Sequence, residues 1–527
     1  MKKIIGLGLI CPFIFIFQSS VAQTYADESL IFSRTNPGGS ARIQGMGGAQ
    51  VALGGDYSSA YSNPAGLGFY NRSEITFSLG TNFYNSTSNY LGQSTADSKS
   101  NFNIPGFSVV LHTDKNNGKL VSGNFAISFN RINNFNKNFT YQGTNANNSM
   151  ADYFVQQSDG LAPSQFSAGS ANTPSGASYY TLPWLGYENY LIGPMSEIVP
   201  NGDSTMYHSN VPSGIAPFQR ERVQTSGAQN QWNFAYSVNI ADFFFIGGAV
   251  GVSTINYQSQ KKYTESFGSL ANSLNNFELD ETLQVNGTGV NASLGIIVKP
   301  KDFIQFGASA SSPTAYSTIT ENYSASLTTN WNNYSFTDVT HPLNNRVLNG
   351  SLNSQMVYNN PFLYGLTTPW RLRAGATVFI QKHGFITADL EKINYQNSSY
   401  SSNSSTPFNF SGDNNTIKLN FRNVFNVRVG GEYRFQKYRV RAGYSYMPDP
   451  YSQIQNNVNN AIQGFTGGVG YRTGKYSIDL GYSLTQWHSP YLPYSLYQPS
   501  GALASNSPIV NISHSNSSVI VTFGFTL

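Results

Sequence analysis

Trp232-Asn233-Phe234-Ala235-Tyr236-Ser237-Val238-Asn239-Ile240 places a large apolar residue at every even position and a small or polar one at every odd position. A period of two belongs to a β-strand with one face on an apolar medium and the other on water. The pattern returns in residues 476–484, where Tyr476, Ile478, Leu480, Tyr482 and Leu484 share a face. It also closes the chain, where Val519, Val521, Phe523, Phe525 and Leu527 alternate with Ile520, Thr522, Gly524 and Thr526. A β-sandwich alternates in the same way, so these segments establish an all-β protein and leave the architecture open.

Connection lengths decide between sandwich and barrel. Fourteen strand-like segments lie near 74–86, 101–113, 120–135, 227–240, 244–257, 280–299, 302–315, 369–381, 384–395, 416–435, 437–447, 463–473, 475–487 and 515–527. Short turns at 114–119, 241–243, 300–301, 382–383, 436 and 474 alternate with long connections at 87–100, 136–226, 258–279, 316–368, 396–414, 448–462 and 488–514. An outer-membrane barrel has an even strand number, short periplasmic turns and longer extracellular loops. A sandwich has no reason to sort its loops. Aromatic residues stand at strand ends where interfacial girdles belong: Trp232, Trp370, Tyr433, Phe435, Tyr438, Tyr444, Tyr446 and Trp487. The expected fold is a transmembrane antiparallel β-barrel of about 14 strands.

Composition agrees. The 527 residues are 11% charged and 14% aromatic, against roughly a quarter charged in an ordinary globular chain. The 34 Tyr and 36 Phe exclude disorder. After the first twenty residues no stretch approaches the roughly 18 apolar residues a spanning helix needs. The small net charge of +4 speaks against a nucleic-acid partner.

Met1-Lys2-Lys3 followed by the apolar run from Ile4 to Phe17 reads as a secretory signal, with Ser20-Val21-Ala22 as the cleavage site before Gln23. Cys11 follows Ile10, where a lipoprotein site wants a small residue. Removing residues 1–22 leaves a chain without cysteine, which excludes disulfides, thiolate metal sites and a cysteine nucleophile. The chain thus divides into a signal peptide (1–22), an N-terminal segment (23–73) and a barrel (74–527) with long extracellular loops at 136–226 and 316–368.

Alternation sends most strand charges to the lumen. With Leu372 and Val378 facing lipid, Arg371 and Arg373 face inward; the next strands place Asp389 and Glu391, then Arg428, Glu432 and Arg434, then Arg439 and Arg441 inward. A charge on the lipid face near the midplane costs about 2–4 kcal/mol. These residues read either as an ion-pair ladder that stiffens the wall and grips a plug, or as a charged constriction that selects solutes. The compensating signs favour the ladder.

Residues 23–73 are not strand-like and are rich in glycine. Fourteen strands enclose a lumen that leaks unless filled, and a compact segment of this length directly before the first strand fits that role. The stretch Ala41-Arg42-Ile43-Gln44-Gly45-Met46-Gly47-Gly48-Ala49, then Asp56, then Asn63-Pro64-Ala65, resembles the hatch of the FadL/TodX family of outer-membrane transporters for long-chain fatty acids and aromatic hydrocarbons. Arg441-Ala442-Gly443-Tyr444 and the Phe-rich last strand extend the resemblance along the chain. It implies hatch roles for Arg42, Gly45, Gly47, Gly48, Asp56, Asn63, Pro64 and Ala65. It also implies passive uptake of a hydrophobic small molecule: capture by extracellular loops, an apolar pocket above the hatch, and sideways exit near a kinked third strand. The sequence departs from the family where Gly54-Gly55 replaces an expected acidic residue, and in the length of loop 136–226.

Two features fit such a path. Tyr179, Tyr180, Leu182, Trp184, Leu185 and Tyr187 form an apolar patch in a loop, which marks a binding surface or packing against loop 316–368. Phe362 and Leu363 are the candidate partners on that second loop. In the second strand the apolar phase switches from Phe102 and Ile104 to Phe107, Val109 and Leu111, with Pro105-Gly106 at the switch. Proline cannot donate to the ladder and a bulge shifts phase by one residue, so Pro105 and Gly106 mark a candidate lateral exit or a simple bulge.

No cofactor and no catalysis is expected. The six histidines share no strand face at metal spacing, and His514-Ser515 at a loop–strand junction has no evident orienting group. The expected partners are the outer-membrane bilayer and a hydrophobic ligand, with the chain a monomer. The alternatives are a barrel serving protein secretion or surface interaction, and a heme receptor using the loop histidines His208 and His488.

Overall fold

The computed structural model describes residues 25–36, 38–164, 182–199, 202–212, 214–268, 273–335, 347–357, 360–498 and 503–527. The signal-peptide reading, Tyr179 and Tyr180 lie outside the described residues.

Fourteen antiparallel strands form the wall: β1 (Glu74–Tyr90), β2 (Gln93–Asn117), β3 (Leu120–Asn134), β4 (Phe218–Ile240), β5 (Phe244–Ser266), β6 (Leu274–Lys301), β7 (Ile304–Ser311), β8 (Arg371–Ile380), β9 (Gly384–Asn394), β10 (Asn423–Phe435), β11 (Tyr438–Met447), β12 (Ile462–Arg472), β13 (Tyr476–Tyr491) and β14 (Val510–Thr526). Each pairs with the next, and β14 returns to β1 from Glu74↔Thr526 to Asn89↔Asn511, closing the barrel. Above the membrane the wall continues through Lys137–Thr144 on β4, Ala315–Ser335 on β6 and the hairpin partner Val347–Val357. Among the described residues no helix is long and apolar enough to cross a membrane.

β5 shows how sequence sets the band. Its outward positions begin with Ile246 and Val250 and become Asn256, Gln260 and Lys262, while Phe245, Ala249 and Tyr257 stay buried. A spanning strand needs about 9–11 residues, so much of this 23-residue strand stands clear of the membrane. The exposed apolar band continues around the barrel through Leu294, Leu372, Ile386, Val429, Val469 and Leu480.

Three expectations change. The connection 87–100 is mostly strand: β1 and β2 run on to a two-residue turn, Leu91-Gly92, with φ of 48° and 80°. These two positive φ values are the mark of a tight hairpin turn. The same lengthening shortens the connections near 258–279 and 488–514. Residues 416–422 are not strand: Ser411–Asn420 is a helix, and β10 starts at Asn423.

The N-terminal segment lies against the inner wall. It comprises α1 (Tyr25–Ser33), α2 (Ala41–Gln44), α3 (Ser59–Ser62) and a 3-10 turn, Pro64–Phe69. Above it, the loop after Lys137–Thr144 carries α4 (Met150–Ser158) and α5 (Leu182–Glu188). Ser149 and Asp152 cap α4 reciprocally, and the buried Glu265 of β5 accepts from Ser149 Oγ and the Met150 N–H. This fixes the loop to the wall.

Candidate functional site

Four cross-strand glycine pairs form seats for the N-terminal segment. Gly247↔Gly295 lies under Asn63 and Pro64, Gly307↔Gly375 under Val51, Gly430↔Gly443 under Met46 and Gly47, and Gly468↔Gly481 under Ala41 and Gly45. A Cβ at nearly all of these positions would collide with the segment or its anchors, so the wall is cut to fit the main chain it holds. Recognising the seats needs strand register, which sequence alone does not supply.

The segment's own conformation follows from its residues. Ser40 caps α2 and donates to Asp56 Oδ2 at 2.6 Å, while Asp56 Oδ1 accepts the Ser58 N–H at 3.0 Å. Asn63 Oδ1 caps the turn begun by Pro64, accepting from the Ala65 N–H at 3.2 Å. Asn63 Nδ2 donates to Val51 O at 2.6 Å and to Ile296 O of β6 at 3.2 Å. Gly47 and Gly48 have φ of 70° and 80°. At the departure from the family pattern, Gly54 and Gly55 have φ of 66° and 65°, with the Phe69 ring packed on Gly54. An acidic residue there would be strained.

Charged side chains of the wall grip this segment. Glu391 of β9 receives Arg373 Nε at 2.8 Å, Arg428 Nη2 at 2.8 Å and Arg371 Nη1 at 3.4 Å. Arg371 donates on to Ser33 O, and Arg373 to Ser62 O at 3.3 Å. Asp389 Oδ2 accepts the Gln50 and Val51 N–H groups at 2.6 and 2.9 Å. Glu432 of β10 binds Arg441 and Arg434, each at 2.8 Å, and lies 3.7 Å from Arg42 of the segment. Arg42 also donates to Gly55 O at 2.7 Å. Arg441 reaches Asp479 at 2.7 Å, a member the sequence reading missed. Arg439 stands apart and donates to main-chain oxygens of Gln436 and Tyr438. The geometry is that of the ladder and grip.

Two voids border the segment, of about 10 and 20 Å³, room for one or two water molecules. Their walls are polar, with Thr35, Tyr61, Arg371 and Arg373 common to both, and the second reaches Ile132 of β3. Neither offers the several hundred Å³ of apolar space that transport implies.

The β2–β3 ladder runs only from Asn117↔Leu120 to Gly106↔Asn130. Beyond it, residues 93–103 of β2 pair with β1, and 131–134 of β3 with β4. The β1–β2 register also shifts between Ser78 and Gly80, opposite Pro105. Across the interruption Asn134 Nδ2 donates to Asn101 Oδ1 at 3.2 Å, and the Asn36 N–H of the segment to Ile132 O at 2.9 Å. Pro105 and Gly106 therefore sit where this ladder ends.

The proposed capture residues do not converge. Leu182 and Leu185 are buried in an extracellular cluster with Phe154, Leu327 and Trp331, where Trp184 and Tyr187 are partly buried. The loop thus packs on Ala315–Ser335, as the packing alternative expected. Phe362 belongs to a second cluster around Tyr25, and Leu363 is tied to Thr406. His514 lies inside β14 rather than at a junction, between Tyr84 and Ser489, and His488 inside β13. Among the described residues no group of three or more His, Cys, Asp or Glu could hold a metal ion.

No family model and no curated protein sequence matches the chain. Solved structures do. A Pseudomonas aeruginosa FadL homologue superposes with a TM-score of 0.51 at 11% identity, over 94% of this chain and 99% of that one. The fold is that of a FadL homologue. The Pseudomonas putida toluene transporter TodX gives 0.49 at 13% identity over 93% and 99%, and the Ralstonia pickettii toluene transporter TbuX 0.47 at 15% over 93% and 99%. At these identities the likeness concerns the fold.

Proposed function

We propose that this chain is an outer-membrane channel for passive entry of hydrophobic small molecules, fatty-acid-like or aromatic, with residues 23–73 as its hatch. The observation that carries the reading is the β2–β3 ladder that ends at Gly106↔Asn130, with a void beside the hatch reaching Ile132. A ligand arriving over Trp184 and Tyr187 passes the hatch when it shifts, and leaves toward lipid between Asn101 and Asn134. Residues 1–22 direct export, and the barrel works as a monomer without cofactor or catalysis. The resemblance of Ala41–Ala65 to the FadL/TodX hatch supplies the ligand class. The test is uptake of labelled fatty acid and labelled toluene by cells with and without the gene. Faster entry of one class supports the channel; equal rates for both remove it.

One observation favours a second reading, a surface component that meets protein partners. The voids beside the hatch are water-sized and polar. On that reading, deleting the gene changes surface assembly and leaves uptake of both probes untouched.

A further inference from the structure

The second aromatic cluster holds two carboxylates, one of them on α1 of the hatch, that take no part in the ion-pair ladder or the passage. Glu28 of α1 and Glu321 of Ala315–Ser335 are 2% and 9% exposed, and one oxygen of each has no hydrogen-bond partner. No Lys or Arg among the described residues forms an ion pair with either. The charge that reaches Glu28 from Lys261 does so from beyond pairing distance. Rings enclose them: Tyr25 has Tyr400 and Phe410 at 5.3 Å, Tyr364 at 5.6 Å and Phe362 at 6.4 Å between centroids. Phe408 closes the enclosure 4.8 Å from Phe410 and is itself 38% exposed, so the mouth faces outward. The buried Tyr400 hydroxyl has no partner. That of Tyr364 approaches both carboxylates without meeting hydrogen-bond geometry on either.

A buried carboxylate without a cation is unfavourable, so these two carboxyls hold protons until a cation supplies the missing charge. Aromatic faces attract cations, above all weakly hydrated organic ones. What this enclosure lacks is a positive charge of about the size of a side-chain ring. We propose that Glu28, Glu321 and the surrounding rings form a binding site for an organic cation, a quaternary ammonium or alkylamine head group. Tyr25 fills the site in its absence. Tyr25 stands in the first turn of α1 and its hydroxyl reaches Glu321 Oε1 only at 3.5 Å, so its ring is the occupant that yields. This site goes beyond passage of apolar molecules and does not depend on it.

The test uses the purified full chain in a maltoside detergent, without choline head groups, titrated with hexyltrimethylammonium, hexanol and hexanoate. The cation is expected to bind at least tenfold tighter than either other probe. E28Q and E321Q should each weaken cation binding at least fivefold, and Y25A should tighten it. Equal binding of the three probes, or cation binding unchanged by E321Q, overturns the site. Should E321Q fail to fold, Y25A decides alone: cation affinity no higher than in the parent overturns the proposal. Binding on purified protein reads this site independently of uptake by cells.

Discussion

Asp389, inside β9, holds the main-chain N–H of Val51 at 2.9 Å, so a wall carboxylate fastens the hatch by its backbone rather than by a side chain. The same oxygen accepts from Gln50 at 2.6 Å. Leaving buried donors without a partner costs about 1–3 kcal/mol. D389A is therefore expected to loosen the hatch while keeping the barrel. Planar-bilayer recordings should show a higher leak current than the parent; an unchanged leak would mean the fastening is idle.

Gly443 faces Gly430 across β10–β11, and the Met46–Gly47 peptide rests on both. Overpacking of this kind costs about 1–3 kcal/mol. G443V should lower the unfolding temperature measurably, whereas the same change at Gly474, where an added Cβ meets nothing within 4 Å, should not. Equal effects of the two substitutions would refute the seat.

Glu391 is the shared partner of Arg371, Arg373 and Arg428. Breaking a buried ion pair from one side costs about 3–5 kcal/mol. E391Q leaves three cations facing a neutral amide. Its denaturant midpoint should fall well below that of D389A, because Asp389 binds only backbone groups within hydrogen-bond reach.

Burial, with Glu321 and Asp27 nearby, raises the Glu28 carboxyl well above its ordinary value of 4.5. A carboxyl raised in the folded state favours folding fully below its ordinary pKa and loses that contribution as pH climbs through the raised one. Docking of α1 should therefore weaken from acid toward neutral pH. Hydrogen exchange of the α1 amides, corrected for intrinsic rate, should show this loosening, and E28Q should flatten most of it. A pH-independent protection factor in the parent would contradict the burial of a titrating group.

How much of this was legible in the sequence follows from where one medium differs from the other. Alternation located all fourteen strands because lipid and lumen demand opposite residues, and it put Arg371, Glu391 and Glu432 inside. It failed above the membrane, where water lies outside and Ser, Thr and Asn serve both faces, so residues 87–100 read as loop. It also misled at 417–421. Ile417, Leu419 and Phe421 alternate like a strand, yet Ile417 is buried in a helix and Leu419 is 75% exposed. Asp389 was legible as an inward charge but not as a backbone acceptor. The glycine seats and the enclosure around Tyr25 depend on register and long-range contact, which no local pattern carries. Phe362 looked like a free apolar loop residue because its partners, Tyr25 and Phe408, lie hundreds and tens of positions away.

The passage itself is tested most directly by closing the end of the β2–β3 ladder. Cys11 is the single cysteine of the sequence and falls within the proposed export signal, so in a chain expressed without residues 1–22 N101C/N134C can be joined by a short thiol-reactive linker across side chains now 3.2 Å apart. Entry of a labelled hydrophobic probe into liposomes holding the purified barrel is then followed before linking, after linking and after chemical release. The account predicts fast entry, arrest on linking and recovery on release. Entry at the same rate in all three states, or no faster than in empty liposomes, would contradict it.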